Sequence, residues 1–185
     1  MKITVNTHKL FGHRATLRTA KQLAEPAARL VNRSVPGRMP DVQITLTNPR
    51  GLAELATTAE AELAGGVDKR VRDREERHAA REARDVAGRA VPLMDGSVLV
   101  LINVDQNASP GEFAITLVHE LVHAMQFSRK GVRERIIRDR RDAFKVERQS
   151  RRHAREHERG LADEEREAYS REYLADQIVP GANAA

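Results

Sequence analysis

The sequence predicts an α+β fold in which a small mixed sheet packs on one buried helix and a helical C-terminal part follows. Three observations carry that expectation. Strand-like segments are confined to the first two thirds of the chain, and helix-forming text fills the last third. Residues 98–104 form a continuous β-branched and leucine run, the pattern of a short strand covered on both faces. Directly after it, Ser109-Pro110-Gly111-Glu112 supplies an N-cap serine, a proline for the first helical position and a capping-box glutamate, opening a very apolar helix.

Taken in order, Ile3 and Val5 alternate with polar neighbours and predict a short first strand. Leu17, Ala20, Leu23, Ala24, Ala27, Leu30 and Val31 mark the buried side of a helix, with Pro26 as a kink or break. Pro36-Gly37 and Pro40 punctuate a loop. Val42, Ile44 and Leu46 then alternate with Gln43 and Thr45 as a half-buried strand. Leu52, Leu55, Ala56, Ala59 and Leu63 read as an amphipathic helix ended by Gly65-Gly66. Residues 68–89 and 129–160 are dense in Arg, Glu and Asp, and each reads as a solvated helix laced with ion pairs. Val132, Ile136, Ile137, Phe144 and Val146 give the second a partial apolar stripe, so the two are expected as arms or a helical hairpin flanking the central cleft.

At 185 residues, one domain spanning 1–185 is expected. Aromatics make up only 3% of the chain, so packing rests on Leu, Ile, Val and Ala. The absence of cysteine removes disulfides and thiolate ligands together. The N-terminus has neither an apolar core nor a small-residue cleavage site, and no apolar stretch approaches a membrane span, so a cytoplasmic location without membrane contact is expected. The net charge of +5 and pI near 10.0 raise nucleic acid as a partner. Arg is interleaved with Glu and Asp, however, and aromatics to stack on bases are scarce, so the support for it is weak. Oligomeric state is not readable.

The most informative text is His119-Glu120-Leu121-Val122-His123. On a helix, residues four apart lie one turn above each other, so His119 and His123 can grip one ion while Glu120 stands beside it as a general base. Phe113, Leu117, Leu121 and Met125, or Ala114, Val118 and Ala124, recur at helical spacing and bury the segment, where unshared polar groups would be costly. A shared Zn2+ accounts for all three. Catalytic zinc takes three protein ligands and leaves one position for water, so a third must come from elsewhere. The last helix offers candidates: Glu167 stands seven residues before Leu174 and eleven before Ile178, on the side those residues bury, and Ala168 beside it admits a close helix neighbour. Glu164 remains a competitor, while Glu165 and Glu172 share a different stripe, expected to be solvated or supporting.

With Glu167-Ala168 downstream of His119-Glu120-x-x-His123, the chain resembles the gluzincin metallopeptidases over roughly residues 98–128 and 161–179, and their small intracellular or phage-type members most. It departs from them at Arg171, where an acidic residue commonly stands four after the ligand, and in a long spacer. The resemblance implies a zincin-like fold and a zinc-dependent peptidase acting on peptide or protein substrates. In it Glu120 takes the proton of a zinc-activated water and passes it to the departing amine. Tyr169 and Tyr173, the only tyrosines, are the candidates to steady an oxyanion. Two other readings compete: a basic nucleic-acid-associated protein with a structural metal, and an inactive zincin-like interaction domain. A second motif, His153-Ala154-Arg155-Glu156-His157, has the inverted H-x-x-E-H form, but residues 147–160 hold no apolar side chain larger than alanine and predict a solvated face. His8, His13 and His78 carry no ligand spacing.

Overall fold

In the computed structural model, which describes residues 1–183, four strands form one sheet: β1 (Ile3–Thr7), β2 (Val42–Thr47), β3 (Gly88–Pro92) and β4 (Val98–Asn103), in the order β1-β2-β4-β3. β1, β2 and β4 run parallel, and β3 pairs antiparallel with β4 at one edge, so the sheet is mixed. The period of two along a strand sorts the β4 side chains. Val98, Val100 and Ile102 join Val42, Ile44 and Leu46 in the core shared with α1 (Arg14–Ser34) and α4 (Pro110–Gln126). Leu99 and Leu101 join Val91 against α2 (Pro49–Leu63). Helices thus cover both faces, which is why β4 reads as an unbroken apolar run.

The predicted break at Pro26 does not occur: α1 runs through it. Ala24, Ala27 and Ala28, on either side of the proline, are all buried, and that packing offsets the missing hydrogen bond. The charged segments also differ from expectation. In the first, helix α3 (Lys69–Glu82) ends early, and Gly88 and Arg89 belong to strand β3. In the second, α5 (Val132–Ala143) and α6 (Arg151–Arg171) are separate helices. Beyond α6 the chain tightens into a 3-10 turn, Glu172–Gln177. Among the described residues, no helix is long and apolar enough to cross a membrane.

Two buried asparagines anchor the start of β3. Asn103 donates from Nδ2 to the carbonyls of Ala83 and Val86, and Asn107 donates to those of Ala87 and Asn103. The turn between α3 and β3 is therefore tied to the end of β4, which holds β3 alongside α4.

Candidate metal centre

The central helix begins as its text requires. Ser109 Oγ accepts from the Glu112 N–H at 3.1 Å, Glu112 Oε2 accepts from the Ser109 N–H at 2.8 Å, and Pro110 fills the first turn. Phe113, Ala114, Leu117, Val118, Leu121, Val122, Ala124 and Met125 are buried in the main core. That burial fixes the rotation of α4 and leaves His119, Glu120 and His123 lining a cleft of about 700 Å³.

Hydrogen bonding sets the state of both imidazoles. Gln126 donates from Nε2 to two acceptors on α6, the Glu164 carbonyl at 2.9 Å and Glu167 Oε2 at 3.0 Å. Its amide nitrogen must face α6, so Oε1 faces His123 Nδ1, 2.8 Å away. An amide oxygen only accepts, so in the neutral ring Nδ1 carries the proton and Nε2 keeps its lone pair. Glu172 Oε1 accepts from His119 Nδ1 at 2.8 Å with the same result. The two Nε2 atoms stand 3.1 Å apart, and Glu165 sets Oε1 at 3.3 Å from that of His123 and Oε2 at 3.5 Å from that of His119. Donors about 2.0–2.1 Å from a tetrahedral zinc stand roughly 3.3 Å from one another. His119, His123 and Glu165 fit one such ion in donor type, and one ligand atom from each lies within 4.8 Å of the others.

The acid that this geometry brings to the imidazoles is not the one expected. Glu167 is turned away from the imidazoles and held by Arg129, at 2.6 and 2.9 Å, and by Gln126. The competitor Glu164 is paired with Arg135. The acid that meets the two rings is Glu165, and Glu172, seven residues on, accepts from His119. Leu161, Glu165 and Ala168 of α6, with Glu172 just past its end, form the stripe on this side, with Ala168 fully buried between the two acids. Leu174 gave a misleading phase because it lies in the 3-10 turn after α6, where side chains advance by 120° per residue instead of 100°. The usable signal was Leu161, Glu165, Ala168 and Glu172 at steps of four, three and four.

Glu120 is buried, and that burial pushes its carboxyl above the usual range, against the pull of His123, His119 and the Ala90 N–H. For His123 burial works to lower the pKa, but the hydrogen bond to Glu165 and the charges of Glu120 and Glu165 prevail and raise it. The hydrogen bond from His123 holds Glu165 below the usual carboxylate range.

The far wall of the cleft is the free edge of β3. Asn103 N–H donates to Ala87 and Leu93 N–H donates to Ser97, so positions 87, 89, 91 and 93 are the hydrogen-bonded partners of β4. Gly88 and Ala90 accordingly point their backbone groups outward, into the cleft. Tyr169 lines the cleft with its ring edge-on to His119, centroids 4.9 Å apart. Tyr173 is exposed and lies outside the cleft lining.

The inverted motif forms no second centre. His157 is engaged by Arg135 at Nδ1 and faces Asp139 at Nε2, 3.2 and 3.4 Å away, while His153 makes no side-chain contact with it. In comparisons with protein-family models, curated proteins and solved structures, the chain matches none.

Proposed function

We propose that this chain is a zinc-dependent metallopeptidase of gluzincin type, in which His119, His123 and Glu165 hold one Zn2+ and Glu120 is the general base. The observation that carries the reading is the convergence of two imidazole Nε2 atoms and one carboxylate within 4.8 Å, next to a buried carboxylate in an open cleft.

A divalent ion at that point would supply the Lewis acidity that activates water and polarises a carbonyl. The chain supplies the rest. Glu120, raised toward neutrality by burial, takes the proton of the attacking water and delivers it to the leaving amine. The outward-facing groups of Gly88 and Ala90 suit an extended peptide laid along β3 as an added strand, which favours peptide bonds as the substrate. Tyr169, against His119 at the cleft wall, is the hydroxyl in reach of the carbonyl oxygen.

The test is metal content and peptide-library cleavage of the purified protein. Stoichiometric zinc, lost in His123→Ala, with cleavage abolished in Glu120→Gln while zinc is retained, is the expected result. A Glu120→Gln protein that cleaves at the original rate would overturn it. Zinc without cleavage, joined to salt-sensitive nucleic-acid binding, would instead support a structural metal.

A further inference from the structure

We infer that Gln126, backed by Glu167 and Arg129, is a positioning residue that fixes the tautomer of His123 and so sets the zinc affinity of the centre, an inference that rests on the metallopeptidase reading of this site. Gln126 is completely buried, and an amide there is costly unless its polar atoms are used. All are used: Oε1 at His123 Nδ1, Nε2 at the Glu164 carbonyl and at Glu167.

The arrangement resists inversion. Flipping the amide would set Oε1 against a carboxylate and a carbonyl while presenting Nε2 to a protonated Nδ1. Glu167 is itself immobilised by the two-pronged contact of Arg129, whose Nε and Nη2 also donate to the Pro36 carbonyl at 3.2 and 3.1 Å. A rigid chain of bonds thus runs from the loop after α1 to a metal-facing imidazole.

What Gln126 prevents is visible in the same geometry. Glu165, 3.3 Å from His123 Nε2, is a competing acceptor for the ring proton. Without Oε1 opposite Nδ1, the neutral ring would carry its proton on Nε2 and block the nitrogen that must face the ion. Loss of such supporting partners weakens metal binding by about 10- to 100-fold.

The experiment compares the full-length protein with Gln126→Leu, Gln126→Glu and Gln126→Glu/Glu167→Gln. Zinc Kd is measured by chelator competition, and the His123 tautomer by nitrogen NMR of the metal-free protein at alkaline pH. Gln126→Leu is expected to bind zinc about 10- to 100-fold more weakly and to move the proton to Nε2. Gln126→Glu keeps an oxygen opposite His123 Nδ1, and so the tautomer, but sets a second carboxylate against Glu167 and is expected to weaken zinc binding; the added Glu167→Gln change relieves that contact and moves affinity back toward the original. An unmoved tautomer in Gln126→Leu, or an unchanged zinc Kd, overturns the inference. A wild-type protein that binds no zinc would count against the metallopeptidase reading, and the tautomer comparison would still decide the role of Gln126.

Discussion

Gly88 and Glu120 touch so closely that a β-carbon added to Gly88 would stand 2.8 Å from both Cγ and Oε1 of Glu120, and 2.7 Å from Thr116 Cγ2. The glycine is what allows the Glu120 carboxylate to lie against the strand edge. Gly88→Ala is expected to displace the carboxylate without touching His119, His123 or Glu165. Misplacement by about 1 Å can cost roughly 100-fold in rate. Steady-state kinetics with parallel zinc analysis checks this: kcat falls while zinc stoichiometry stays the same. Loss of zinc together with rate would place the effect on the helix as a whole.

Glu165→Ala removes the one acid among the described residues that reaches both imidazoles. The remaining pair of histidines leaves the ion underligated, and the variant is expected to emerge from dialysis without stoichiometric zinc. Retention of zinc in Glu165→Ala would remove it from the ligand set.

How far these features were legible depends on how local their causes are. The cap at Ser109, the buried run of β4 and the pair His119 and His123 are each written within a few residues, and the structure reproduces all of them. Strand β3 is not written that way. Gly88-Arg89-Ala90-Val91-Pro92 has no alternation and follows a charged helix, and it becomes a strand through pairing with β4 and the asparagine ties at its start. The expectation of Glu167 rather than Glu165 beside the imidazoles has a different cause: its helical phase rests on Leu174 and Ile178, which lie beyond the helix end. The role of Gln126 depends on α6 being its neighbour, which nothing near position 126 announces.

The two tyrosines should separate. Tyr169 stands against His119 in the cleft, whereas Tyr173 lies outside it. Tyr169→Phe is expected to lower kcat by about 100-fold, the effect of losing one oxyanion donor, with little change in zinc content. Tyr173→Phe should leave kcat unaltered. Equal kcat values for both variants and the original would remove Tyr169 from the chemistry.

Acid and base should act on the metal-free protein through His123 and Glu165. The raised pKa of His123 means its stabilisation is complete below its unfolded value, about 6.5, and is lost as pH climbs through the folded pKa. The lowered pKa of Glu165 means its stabilisation is present above its unfolded value, about 4.3, and is lost as pH falls through the folded pKa. The pair therefore contributes most between roughly pH 4.3 and 6.5. Calorimetry in chelator should show the Tm gap between the original and Glu165→Gln widest in that window. With zinc the gap should instead grow above neutrality, since the ligands bind in their deprotonated forms. A gap independent of pH in chelator would mean that the two groups do not interact.

The wall of the cleft opposite β3 depends on a second buried pair, Arg135 with Glu164, whose side chains are 8% and 12% exposed. Gly160 makes the approach possible, because a β-carbon there would lie 2.7 Å from Arg135 Cζ. Arg135 also reaches the His157 carbonyl, so one guanidinium fastens α5 to two points on α6 about two turns apart. Removing it strands a largely buried carboxylate, which costs about 3 kcal/mol or more. Arg135→Ala should therefore lower Tm by roughly 10 °C in a chain of this size. Replacing both partners with apolar residues, as in Arg135→Met/Glu164→Leu, should recover much of that loss, because an apolar pair leaves no uncompensated charge. If Arg135→Ala melts with the original, the pair is incidental, and the position of α6 over His119 and His123 rests on Ala168 and Gln126 instead.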